Sequence, residues 1–180
     1  VEPTGHLPVT KLFYRGDHNQ LQQEVAPGCL SVLSSSGTPM AFATDDPNLP
    51  TSGRRLAFAR WLTNSALPNP LFVRALVNRV WLHHFGRAIV ATPGDFGKLG
   101  SAPTHPHVLD WLGAQWIQSG WSLKQLHRVI MTSTVYRQSS VRHPTGDALD
   151  PENKFYWHKP LMRMDAEVIR DSMLALAGEL

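Results

Sequence analysis

A single cysteine, Cys29, stands in 180 residues. It excludes an internal disulfide, a CxxCH haem-attachment site and a cysteine-rich zinc cluster within this chain. No apolar run approaches the roughly 18 residues that span a bilayer. Dense basic runs are missing too. Seventeen Lys and Arg against 14 Asp and Glu leave a formal charge of +3, spread along the chain. Binding by counterion release needs a clustered basic surface, so nucleic acid is not an expected partner. Asp95-Phe96-Gly97 copies the letters of the kinase magnesium motif, but no glycine-rich loop, strand lysine or HRD-type loop accompanies it. Ser133, Ser139 and Ser140 have neither a GxSxG elbow nor an assignable base, and read as polar helix-end residues. The opening VEPTGHLPVTKLF lacks an initiator Met and the layout of a leader. The expectation is a piece of a longer protein, whose missing signal peptide says nothing about compartment.

What is present divides by texture. At 42% hydrophobic, the chain is long enough to bury one substantial core. Residues 1–52 are rich in Pro, Gly, Ser and Thr, with short apolar runs such as Lys11-Leu12-Phe13-Tyr14 and Cys29-Leu30-Ser31-Val32-Leu33. They read as an extended arm packing on the main body, adding a short strand or two, with SSSG and DDPNLPTSG as turns. Residues 53–180 carry helical spacing. Arg54–Leu62 is amphipathic, with Leu56, Ala59 and Leu62 on one side. Asn69-Pro70 opens the next helix, and Leu71–Phe85 is apolar on nearly every face, as a central helix would be. Thr104 is a plausible N-cap for Val108, Leu109, Leu112 and Trp116, ended by Gly120. Ser122 and Gln125 have capping-box spacing, with Trp121 and Leu126 where a hydrophobic staple would close. A last helix runs from about Asp165 to Ala177, where Arg163 and Glu167 are placed to pair. The fold expected is mainly α: a compact, bundle-like domain of about five helices with a loop-rich N-terminal arm.

Polar side chains on the central helix demand partners. Arg74, Asn78, Arg79, His83 and His84 lie among Leu, Val, Trp and Phe, and a desolvated guanidinium stays charged only beside a carboxylate. Asp95, Asp110, Glu167 and Asp171 are the carboxylates on offer. One reading is a buried polar network of Arg74, Asn78, Arg79, His84, His127, Asp110, Glu167 and Asp171 that locks the helices. On that reading Arg79→Ala costs a few kcal/mol. Asp95 either bonds backbone amides in the turn-rich Thr92-Pro93-Gly94-Asp95 or pairs with Arg79. A second reading gathers Asp95, His105, His83 and Arg79 in a cleft as acid, base and anion clamp of a hydrolase-like or polysaccharide-processing enzyme. A weaker third is metal binding by His83 or His84 with His105 or His127. Adjacent helical residues point about 100° apart and cannot chelate one ion together. His127, between Leu123, Leu126 and Ile130, faces the core, and no HxxxH or HxH pair sits beside a matching carboxylate, so no metal is assigned. The tryptophans, Trp111, Trp116 and Trp121 among them, read as core packing before a sugar platform.

The strings VNRVWLHHFGRAIVATPGDFGKLGSAPTHPHVLDWL, SGWSLKQLHRVIMTSTVYRQSS, DPENKFYW and AEVIRDSMLALAGEL, in that order, resemble the planctomycete domain of unknown function 1553. Tyr14-Arg15-Gly16-Asp17 and Val25-Ala26-Pro27-Gly28 are similar to the stretch that precedes its helices. Two departures are visible: His105-Pro106-His107-Val108 stands where the family reads HPEL, and Ala88-Ile89 where it has a glycine-leucine pair. The resemblance implies a large exported protein, with this domain beside a second uncharacterised domain and, often, a cytochrome-c-like haem domain. It therefore implies an extracytoplasmic location and, as partners, other domains of the same polypeptide. No cofactor is expected in this chain; any haem belongs to the neighbouring domain. The resemblance brings no catalytic residues with it, so the expected role is a structural or assembly module, with the enzyme and metal readings as alternatives.

Overall fold

A computed structural model describes residue 5 and residues 8–30, 42, 46–64, 66 and 69–179. Ser31–Leu33 of the second apolar run and the SSSG segment lie outside the described residues. The chain divides into two compact units, residues 1–73 and 74–180.

In the first unit, Lys11–Phe13 (β1) and Leu21–Glu24 (β2) pair antiparallel, Lys11 opposite Glu24 and Phe13 opposite Leu21. The turn between them is organised by Asp17, whose carboxylate accepts from the Asn19 N–H at 3.0 Å and from Gln20 Nε2 at 2.9 Å. Those donors hold its pKa below the ordinary aspartate value, the Asn19 amide most of all. Arg54–Leu62 forms α1, none of whose residues is buried. Phe58 and Trp61 pack edge-on to Phe42, at ring distances of 6.0 and 5.9 Å.

Pro70–Phe85 is α2. Its start follows from local chemistry: proline suits the first turn, and Asn69 Oδ1 accepts the Phe72 N–H at 3.0 Å, satisfying an amide with no partner inside the helix. In the second unit α2 turns Val77, Asn78, Trp81 and Phe85 inward. Pro106–Gln118 (α3) adds Leu109, Leu112 and Trp116, and Leu123–Met131 (α4) adds Leu126 and Ile130. The helix before Trp116 begins one residue later than Thr104 would have set it. Pro106 occupies the first turn and His105 is the N-cap, while Thr104 bonds the Ile89 carbonyl through its amide at 3.0 Å. Ser122 caps α4, its hydroxyl accepting from the Gln125 N–H at 3.3 Å.

Two short helices follow that no apolar spacing marks in the sequence. Thr134–Arg137 (α5) is capped by Ser133, which accepts from the Tyr136 N–H at 3.2 Å. Pro144–Leu149 (α6) is capped by His143, whose Nδ1 accepts from Gly146 N–H at 3.0 Å. Gly146 is required by close approach: a Cβ there would lie 2.7 Å from the Trp157 ring. The Asp150 carboxylate then accepts from the Lys154 and Phe155 amides at 2.9 and 2.8 Å and folds the 150–158 loop. Ala166–Ala177 (α7) ends at Gly178 in the left-handed region, φ 76°. Among the described residues no ion pair joins Arg163 to Glu167, and no helix is long and apolar enough to cross a membrane.

Candidate functional site

The aromatic core of the second unit is built on α2. Trp81 and Phe85, one turn apart, stack at 4.2 Å, and Tyr156 meets them edge-on at 5.3 and 5.4 Å. Tyr156 is 5% exposed, and burial pushes its phenol pKa up because the charged form loses water. Its hydroxyl donates to the Arg87 carbonyl at 3.3 Å. The Trp81 indole N–H lies beside that hydroxyl and opposes the rise, without closing a well-formed hydrogen bond.

Against this floor opens a cavity of about 360 Å³. Trp81, Leu112, Ile130 and Tyr156 line it from the buried side, and Val108, Trp111, Thr132 and Phe155 from the exposed side. His105 lies half-buried in its wall, with ring contacts to Phe155 at 6.0 Å and Tyr156 at 5.6 Å. Its Nδ1 is 2.9 Å from the Thr104 hydroxyl.

Of the four residues that the enzyme reading gathers, His105 alone lines this cavity. Arg79 and His83 are exposed, and among the described residues no ion pair includes Arg79. Helical geometry gives the reason. At about 100° per residue, the buried Val77, Asn78, Trp81 and Phe85 cluster around one direction, and Arg79 and His83 fall on the opposite side. A few kcal/mol for Arg79→Ala, which needs a desolvated carboxylate beside it, has no basis at an exposed position. Asp95 is exposed as well, and its Oδ1 accepts the Gly97 N–H at 2.8 Å inside its own turn, while Thr92 Oγ donates to its carbonyl.

Three contacts draw together other residues of the polar set. Arg74 meets Asp110 two-pronged, Nε to Oδ1 at 2.6 Å and Nη2 to Oδ2 at 2.8 Å, and holds the Asp110 pKa below the usual carboxylate range. The side chains are 39% and 53% exposed, so the pair lies at the surface rather than in the core. Asn78 is fully buried and its amide serves both backbone groups of Val90: Nδ2 donates to the carbonyl at 3.0 Å and Oδ1 accepts from the N–H at 2.8 Å. His84 Nε2 and His127 Nδ1 are 2.8 Å apart, joining α2 to α4. That is a hydrogen-bond distance, since two nitrogens on one tetrahedral zinc would be roughly 3.3 Å apart. Burial lowers the His84 pKa, helped by His127, Lys159 and His83. Among the described residues no cluster of three His, Cys, Asp or Glu suited to a metal forms. Glu167 and Asp171 stand apart on exposed α7, where Asp171 pairs with Arg170 at 3.0 Å.

Sequence reasoning passed over Lys159 and Tyr156. The Lys159 ammonium donates to the His84 carbonyl and lies over the Phe85 and Tyr136 rings, 4.9 and 4.4 Å from their centroids. Burial lowers its pKa. Their one local signal is the unbroken aromatic run Phe155-Tyr156-Trp157 before His158-Lys159, too dense for a solvated loop.

A family model described as PSD1, protein of unknown function (DUF1553), matches residues 54–180. No curated protein and no solved structure matches the chain.

Proposed function

We propose that this chain, which belongs to the DUF1553 family of proteins of unknown function, is an assembly module that docks against other domains of its own polypeptide. The observation that carries the reading is α7. Its C-terminal end is closed at Gly178, yet none of its residues is buried, and Val168, Ile169 and Met173 are 48%, 42% and 65% exposed. A helix of twelve residues is marginal alone and draws its stability from an apolar face laid on something else. The polar contacts Arg74–Asp110, Asn78–Val90 and His84–His127 tie α2 to α3, to the segment that follows α2 and to α4. The sequence resemblance supports a large exported polypeptide with a cytochrome-c-like domain among the partners; the haem is that domain's, and the location extracytoplasmic.

The experiment mixes this chain with the remaining domains of the polypeptide, expressed separately, and follows association by analytical ultracentrifugation. The unaltered chain co-sediments with them. Ile169→Asp with Met173→Asp weakens the complex by about tenfold or more, since burying two carboxylates carries a large desolvation cost. Undiminished association of the double variant overturns the reading.

The enzyme alternative finds less support. Asp95 is spent on its turn and His83 and Arg79 face solvent, so His105 has no catalytic companion from that set at the cavity.

A further inference from the structure

We propose that the cavity beside α2 binds a neutral, flat aromatic molecule that carries one hydroxyl or ring N–H and donates it to Nε2 of His105. The inference is independent of α7 and of the assembly reading.

Size and polarity come first. About 360 Å³ falls within the roughly 300–1,000 Å³ of small-molecule sites, which pair apolar walls with a few placed polar groups. No Lys, Arg, Asp or Glu lines the cavity, so a charged ligand would lose its water without gaining a counter-charge. The floor is buried and the rim presents two large uncovered rings, Trp111 at 52% and Phe155 at 68% exposure. Flat π-systems stack well on such faces.

The hydrogen bonds of the wall then bear on the ligand's polarity. Each wall hydroxyl already donates to a backbone carbonyl: Thr132 to Arg128 at 2.8 Å, Ser133 to Ile130 at 2.6 Å and Tyr156 to Arg87 at 3.3 Å. His105 differs. With the ring proton assigned to Nδ1, it donates to the Thr104 hydroxyl across 2.9 Å while that hydroxyl gives its own hydrogen to the Ile89 carbonyl at 3.3 Å, so both hydrogens are used. In the neutral ring Nε2 is then a bare lone pair, and among the described residues it makes no hydrogen bond. The cavity thus offers an acceptor in an aromatic box, and its complement is a donor on an aromatic ring: a phenol or an indole.

Isothermal titration of the full chain with phenol and with toluene, which matches its shape but lacks the hydroxyl, tests this. Phenol is expected to bind saturably and about tenfold more tightly than toluene, the worth of one buried hydrogen bond. His105→Phe keeps the ring packing and removes the acceptor, so the advantage of phenol disappears while toluene binding persists. Val108→Trp at the rim fills the cavity and abolishes both; if that variant melts early, Val135→Trp on another wall takes its place. Equal affinity for the two ligands, an advantage that survives His105→Phe, or binding that survives a filled cavity overturns the proposal, as does no binding at millimolar ligand. N-acetyl-tyrosinamide binding far more tightly than p-cresol would hand the cavity to a protein segment and overturn the small-molecule assignment.

Discussion

Residues 86–104 and α7 reverse the usual relation between regular backbone and burial. The first stretch contains neither helix nor strand, yet Ala88, Ile89 and Val90 are 4%, 0% and 3% exposed. The second is a continuous helix with no buried residue. What admits a segment to a core is satisfaction of its peptide groups, and a helix or sheet is only one way to achieve it. Here Asn78 on α2 serves both groups of Val90, and at the far end of the stretch itself the Thr104 amide serves the Ile89 carbonyl. Regular α7 satisfies its own backbone and so can stand in water, with apolar side chains that still lack cover.

The strongest way to break this comparison is to remove the partner. Asn78→Ala leaves a buried N–H and a buried carbonyl of Val90 unpaired and opens a void beside them. Each orphaned group costs about 1–3 kcal/mol, so the loss expected in urea unfolding is about 3 kcal/mol or more. A loss below about 1 kcal/mol means that Val90 finds water or another partner, and the account of how residues 86–104 remain buried fails.

Proton linkage gives a smaller effect at the end of α2, where the chain enters that stretch. The folded pKa of His84 is lowered from 6.5, chiefly by burial and then by His127, Lys159 and His83. A depressed folded pKa means that the unfolded chain binds more protons, so this stability is complete above pH 6.5 and is lost as pH falls through the folded value. The 2.8 Å contact with His127 agrees in sign, because two protonated rings cannot share it. Urea midpoints between pH 7.5 and 5.5 should fall more steeply for the unaltered chain than for His84→Asn. Parallel profiles would show that the pair carries no linkage.

What the sequence made legible was written in contiguous residues. Asn69-Pro70 marks the start of α2 and Ser122 the start of α4, because a cap and the amide it serves lie within three residues. Four-residue α5 and six-residue α6 hold too few turns for apolar spacing to repeat, so no periodicity marked them as helices. The site was harder for a different reason. On an α2 apolar almost all round, the spacing of Arg79 and His83 says that they share a side but not that the side faces water. Partners lie far off in sequence: Val90 is 12 residues from Asn78, and His127 is 43 from His84. Only packing decides such pairings, and the cavity that gives His105 its role is likewise assembled from α2, α3, α4, α5 and the 150–158 loop.

The smallest expected effect sharpens the other half of the comparison. Met173 on α7 is 65% exposed, and replacing it with Gln trades one good helix former for another. In this chain alone the substitution should move stability by no more than about 0.5 kcal/mol, as at other surface positions. Burial of a methionine side chain is worth about 1.5–3 kcal/mol, so the two cases separate cleanly in a urea titration. A loss of that larger size would mean that α7 already has its cover within the chain, and its apolar residues would then need no partner domain.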